Sequence, residues 1–191
     1  MTHKIILASS SPRRKELLHA QGLDCEVIHP SSDEIVRSGE TPQEFALRVS
    51  LEKAMSVSAT LTDGAIVIGA DTIVVVSGEI LGKPGDDGEA ASMLHKLSGK
   101  EHHVYTAFSI VRAKNEHLHS GVVGTRVRVK PLAASEIEGY IKTGEPMDKA
   151  GAYAIQGAGS FIVSGIDGSY SNVVGLPLEE LLGALRQLEI I

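Results

Sequence analysis

Tryptophan is missing from this chain, and cysteine occurs once, at Cys25. One thiol cannot close an internal disulfide or build a cysteine-based zinc site. Aromatics are 4% of 191 residues, so Ala, Val, Ile, Leu and the 20 Gly must do most of the packing. Positive charge is not in excess: 18 Lys and Arg face 24 Asp and Glu, for a formal net charge of -6. That argues against a protein whose main work is coating nucleic acid, although a local basic patch is still allowed. No apolar run approaches the roughly 18 residues of a membrane span. The opening Met1-Thr2-His3-Lys4-Ile5-Ile6-Leu7-Ala8 has too short an apolar part for a signal peptide. A cytoplasmic protein with no membrane or nucleic-acid partner is expected. Hydrophobic content of 42% and charge of 22% are ordinary for a globular chain. The length fits a single domain, residues 1–191, with a sizeable core. No repeat or linker divides it.

What is present is organised around Ala65-Ile66-Val67-Ile68-Gly69-Ala70-Asp71-Thr72, followed by Ile73-Val74-Val75-Val76. An unbroken apolar run reads as a strand buried on both faces, as inside α/β sheets. Asp71 sits at its end, and an unpaired buried carboxylate needs a cation, donors or water. Gly69 and Ala70 leave room beside it for a ligand, and ligands in open α/β sheets sit at the carboxyl ends of strands. A turn position, or a pair with a structural Arg or Lys, explains Asp71 equally well.

Lys4-Ile5-Ile6-Leu7-Ala8 reads as a strand, and Ser9-Ser10-Ser11-Pro12-Arg13-Arg14 as a serine loop opening a helix that Gly22 stops. Strand, loop and helix N-terminus together suit an anion, since free N–H groups and the helix dipole favour phosphate. Ser9, Arg13 and Arg14 add donors, and Arg can bind phosphate bidentately. A solvated helix start is the plainer alternative. The P-loop spacing of Gly and Lys is absent. Glu34 lies in an acidic loop, Ser31-Ser32-Asp33-Glu34, of the kind that is usually only solvated. Thr41-Pro42-Gln43-Glu44 opens a helix to about Val57 with a capping box. In it Phe45, Val49, Lys53 and Val57 recur every four residues, so Lys53 lies near the apolar stripe and either snorkels outward or meets an anion.

Ser77-Gly78-Glu79 reads as a hairpin turn, and Gly82-Lys83-Pro84 holds one cation on a fixed backbone. Asp86 or Asp87 caps a helix ended by Gly99. Long strands are expected over 102–113 and 117–129, with His117 and His119 on one face but no third metal ligand evident. Ser135-Glu136-Ile137-Glu138 reads as a capping box, Phe161-Ile162-Val163 as a strand and 165–170 as a turn. Pro177 stands near the start of a last helix faced by Leu181, Leu182, Leu185 and Leu188. The segment 145–157 is too rich in Gly and polar groups for a plain core element.

Five segments together resemble the Maf family of nucleoside triphosphate pyrophosphatases, in the right order over essentially the whole chain. They are Ser9-Ser10-Ser11-Pro12-Arg13-Arg14, Gly69-Ala70-Asp71-Thr72, Gly82-Lys83-Pro84, Asp148-Lys149-Ala150-Gly151-Ala152-Tyr153 with Ile155-Gln156-Gly157, and Asn172-Val173-Val174-Gly175-Leu176-Pro177. The resemblance implies an elongated α/β fold similar to inosine triphosphate pyrophosphatases: a long mixed sheet flanked by helices, two lobes and a central cleft. It implies hydrolysis of a nucleoside triphosphate to monophosphate and pyrophosphate with Mg²⁺ or Mn²⁺, and it allows a homodimer. Carried over residue by residue, Asp71 matches the family's general base, with Glu34, Lys53 and Lys83 as further catalytic or phosphate-side positions. Asp71 and Glu34 are the implied metal ligands. Arg13, Thr72 and Gln156 match positions linked to substrate choice, beside Ser9 and Arg14. The branch acting on 7-methyl-GTP resembles this chain less, since it carries Glu in place of Gln156 and a Trp in the serine–proline–arginine loop. The dTTP/UTP branch is the closer likeness; modified pyrimidine nucleotides, CTP, 7-methyl-GTP and a non-catalytic regulator of septum formation stay open as alternatives.

Overall fold

The structure is a computed structural model, and it describes residues 3–62 and 64–191. Met1 and Thr2 of the opening stretch therefore lie outside the described residues. The elements are β1 (Ile5–Ala8), α1 (Pro12–His19), β2 (Glu26–Ile28), α2 (Pro42–Ser58), β3 (Ile66–Val76), β4 (Glu79–Leu81) and α3 (Asp87–Leu97). They continue with β5 (Glu101–Arg112), β6 (Glu116–Val129), α4 (Ala134–Ile141), β7 (Val163–Asp167), α5 (Tyr170–Val174) and α6 (Leu178–Gln187). The strands form a seven-stranded sheet in the order β2-β1-β3-β5-β6-β7, with β4 also on β3. It is mixed: β1 runs parallel to β2 and β3, whereas β3 and β4, and β6 and β7, are antiparallel.

The chain forms two compact units, one of Met1–Asp71, Thr106–Val123 and Gly175–Ile191, the other of Thr72–Tyr105 and Gly124–Val174. In the first, β3 alternates between two cores. Ile66, Ile68 and Ala70 pack with Leu18, Leu176, Leu181 and Leu185 on the face of α1 and α6. Val67 packs with Ile6, Ala54, Val57 and Val111 on the face of α2. Gly69 shares the α2 face by the two-residue period of a strand. A Cβ there would stand 2.2 Å from the Ser50 carbonyl oxygen and 2.7 Å from the Ala54 nitrogen. Only a residue with no side chain lets α2 lie this close.

The second unit packs α3 and α4 around Val74, Leu81, Leu94, Leu97, Val127, Ile137 and Tyr153. His102 is buried in it. Its Nε2 is 2.7 Å from the Tyr153 hydroxyl, while Nδ1 finds no hydrogen-bond partner among the described residues. Burial, and secondarily the neighbouring His103, push the imidazole down from 6.5 to about 4. Between those values the unfolded chain binds a proton that the folded one refuses, so stability rises with pH across this window. Denaturant midpoints should therefore fall as pH is lowered from about 6.5 to about 4, by about 3 kcal/mol for this group. His102→Leu should flatten that slope; an unchanged slope would show that other groups produce it.

Four sequence expectations shift. β3 does not stop at Asp71 but runs for 11 residues through it. The carboxyl end beside Asp71 belongs to β1, whose pairing with β3 ends at Ala8 opposite Gly69. Helix α4 begins earlier than Ser135, with Ala133 as its cap residue, because the Glu136 carboxylate reaches back to the Ala133 N–H at 2.8 Å. Phe161 closes a 3₁₀ turn over Gly157–Phe161 rather than opening a strand. Strand β7 runs on to Asp167, through part of the expected turn, because β6 is its antiparallel partner there.

Candidate active site

Asp71 follows Gly69 on the face of β3 that meets α2, and Lys53 precedes Ala54 on α2. The close approach at Gly69 therefore brings one side chain to the other. Lys53 Nζ donates to Asp71 Oδ1 at 2.7 Å and lies 2.7 Å from Glu34 Oε1. The Lys53 and Asp71 side chains are 9% and 8% exposed, that of Glu34 47%. Asp71 is thus paired with a lysine, as a structural acid would be. That lysine also carries a second carboxylate, and the group meets solvent through it. Lys53 does not snorkel outward. An acid buried under α2 needs a cation more than the ammonium needs bulk water.

Glu34 belongs to a loop without regular structure, and Arg48 of α2 holds that loop. Its Nη2 donates to the Ile35 carbonyl at 2.9 Å. Its Nε and Nη2 grip the Glu40 carboxylate at 2.6 and 2.9 Å, and Nη1 reaches Glu52 at 3.2 Å. This fork pushes Glu40 down to about 2, through the hydrogen bond to Arg48 first, and raises Arg48. Sequence reasoning missed Arg48; its spacing of four from Glu52 on α2 was the available signal.

On the other side of β1, Ser11 caps α1 in extended backbone and Pro12 begins it. Ser9 Oγ accepts from the Ser11 N–H and from Arg14 Nη1, both at 3.1 Å. Arg14 points inward: its Nε donates to the Gly175 carbonyl at 2.7 Å. Burial lowers its pKa, opposed by the charges of Asp71 and Glu34. Arg14 is therefore a buried cation bracing the serine loop against Gly175 and sharing the field of the two acids. Arg13 is half-buried on α1.

The first unit thus brings together Ser9, Arg14, Glu34, Lys53 and Asp71. Thr72, Lys83 and Gln156 belong to the second. There Thr72 is half-buried in β3, and Lys83 and Gln156 are exposed. The Gly82 carbonyl accepts from the Gly151 N–H at 2.9 Å, which joins the segment of Lys83 to that of Lys149. His117 is exposed beside Ser120, and His119 tilts against Phe108.

Among the described residues no group of three or more His, Cys, Asp or Glu is arranged to hold a metal. Asp71 and Glu34 meet at the Lys53 ammonium, 2.7 Å from each; carboxylate oxygens are the hard donors that, one or two at a time, commonly hold Mg²⁺ with substrate phosphates and water.

A model of the family described as Maf-like protein matches residues 4–188. A dTTP/UTP pyrophosphatase of Syntrophus aciditrophicus (strain SB) is 50% identical over 188 residues, which is 98% of this chain and 91% of that protein. A dTTP/UTP pyrophosphatase of Geotalea uraniireducens (strain Rf4) is 51% identical over 184 residues, 96% of this chain and 94% of that protein. Among solved structures, a HAM1 protein from Coxiella burnetii aligns with a TM-score of 0.49 at 16% identity, covering 97% of this chain and 100% of that one.

Proposed function

This chain belongs to the Maf family, and on that premise we propose that it hydrolyses dTTP and UTP to the monophosphate and pyrophosphate. One observation carries the reading: Asp71 and Glu34, from different elements, share the ammonium of Lys53 at 2.7 Å each. In this reading the triphosphate lies along the loop Ser9–Arg14, with backbone N–H groups at the start of α1 and Arg13 as phosphate donors. Lys83 is a further phosphate cation. Asp71 orients the attacking water and takes its proton at the carboxylate. The water oxygen bonds to the α-phosphorus, the bond from that phosphorus to the α–β bridging oxygen breaks, and pyrophosphate leaves. Lys53 keeps two acids together that would otherwise repel. Glu34 and Asp71 would hold a divalent cation; when bound, it would supply charge neutralisation on the phosphoryl oxygens and a more acidic water. In the same reading Gln156 reads the base. A side-chain amide offers a donor and an acceptor, which suits the alternating carbonyl and N–H edge of uracil or thymine.

The test is purified protein with a panel of triphosphates in Mg²⁺ or Mn²⁺, the products identified by chromatography. dTTP and UTP should give monophosphate and pyrophosphate faster than GTP, ATP or 7-methyl-GTP. Diphosphate plus phosphate, or saturable binding without hydrolysis, would overturn the proposal.

A further inference from the structure

Glu145 was not singled out from the sequence, yet its carboxylate is a hub of the second unit. It opens the 3₁₀ turn Glu145–Asp148 directly after Gly144, whose φ is +72°. Oε1 accepts from the Gly159 N–H at 3.0 Å and from the Tyr140 hydroxyl at 2.9 Å. Oε2 accepts from the Ala158 N–H at 2.9 Å. The Tyr140 oxygen accepts in turn from the Ala154 N–H at 3.2 Å. Both sides of Gln156 are therefore tied to one Tyr–Glu pair, two residues before it and two and three after it, while the Gln156 side chain itself stays exposed.

The glycines of this segment make the arrangement possible. Gly157 has φ +70°, and a Cβ on it would stand 2.5 Å from Glu145 Oε2. A Cβ on Gly159 would stand 2.5 Å from the Tyr140 hydroxyl. Burial alone would raise the Glu145 pKa; the Gly159 and Ala158 N–H groups and Tyr140 outweigh it and hold the group below its usual value. A charged acceptor on two backbone amides is a stronger fixing than a neutral one. That is more than a surface turn needs, and it surrounds one exposed amide.

We propose that Glu145, acting with Tyr140, is a positioning residue for nucleobase selection: it fixes the backbone on both sides of Gln156, so that the amide meets a pyrimidine edge in one orientation. The inference rests on the reading of Gln156 as base reader. A loose loop would still let the amide bind, but it would let it swing to other edges, and discrimination would fall before turnover does. Glu145→Gln keeps the size but replaces one acceptor oxygen with an NH₂ group that confronts a backbone N–H.

The experiment compares the full-length wild type with Glu145→Gln, Tyr140→Phe and Gln156→Ala on dTTP, UTP and GTP in Mg²⁺. In Glu145→Gln, kcat for dTTP should stay within about threefold. Its KM should rise, and the dTTP-over-GTP ratio of kcat/KM should narrow by about tenfold. Gln156→Ala should narrow the same ratio, and the double variant should narrow it little further, since the two act as one unit. Tyr140→Phe releases the Ala154 N–H and takes one donor from Glu145 Oε1, while the Ala158 and Gly159 amides stay bound, and should give a smaller change in the same direction. It also serves as the test if Glu145→Gln does not fold. The positioning role is overturned if Gln156→Ala narrows the ratio while folded Glu145→Gln or Tyr140→Phe leaves it unchanged. It is equally overturned if kcat falls alike for every nucleotide. Failure of the underlying reading looks different: the wild type hydrolyses none of the three, or Gln156→Ala leaves the ratio intact.

Discussion

Asp71→Asn should lower turnover of dTTP by about 10²-fold or more, because an amide cannot take the proton of the attacking water. The substitution is close to isosteric, and the amide oxygen can still accept from Lys53, which keeps Glu34 as its charged partner at 2.7 Å. The denaturation midpoint should therefore move far less than in Lys53→Met. That variant removes the shared ammonium and leaves two acids facing one another. Breaking a buried pair by deleting one partner costs on the order of 3–5 kcal/mol. The two variants separate chemistry from scaffolding: a folded Asp71→Asn protein with near-normal turnover would reject Asp71 as base. A Lys53→Met protein as stable as the wild type would mean that the ammonium holds nothing together.

Gly69→Ala is the second large effect, and it reads out on the fold. The added methyl would stand 2.2 Å from the Ser50 carbonyl oxygen and 2.9 Å from the Ala54 Cβ. Two of the three nearest atoms are helix backbone, so no flexible side chain can yield and α2 itself must move. Overpacking of this kind costs about 3 kcal/mol or more. Denaturant unfolding should show that loss. Turnover should fall as well, since moving α2 carries Lys53 away from Asp71. A loss under about 1 kcal/mol would mean that α2 can slide along the sheet freely, contrary to the packing of Ala54 and Val57.

The local signals were legible because they rest on local chemistry. Thr41, Pro42 and Glu44 form the capping box expected of them, and Thr41 Oγ1 accepts from the Glu44 N–H. Asp86 caps α3, and Ser77 and Gly78 make the hairpin turn with positive φ. Asp71 stood out as a carboxylate in a buried apolar strand, and the Ser9–Arg14 loop as two adjacent Arg beside hydroxyls at a helix N-terminus. What escaped depends on pairing across the chain. That Arg14 turns inward is set by Gly175, 161 residues away. That Arg48 secures the Glu34 loop needs Glu40 and the Ile35 carbonyl to fold back on α2. The 3₁₀ turns over 145–161 follow from a carboxylate meeting amides 13 and 14 residues on, which no periodicity records.

The first unit is discontinuous in sequence, built from Met1–Asp71, Thr106–Val123 and Gly175–Ile191. On a ribosome its strands β1 and β3 emerge long before α6, which covers Ile66 and Ile68 with Leu181 and Leu185. Until then only α1 shelters that apolar face of the strands, and the guanidinium of Arg14 has no Gly175 carbonyl to receive it. The second unit, nested between, can close its own core first. Synthesis order therefore sets the serine loop only once the segment from Gly175 onward has been made, well after the rest of the first unit.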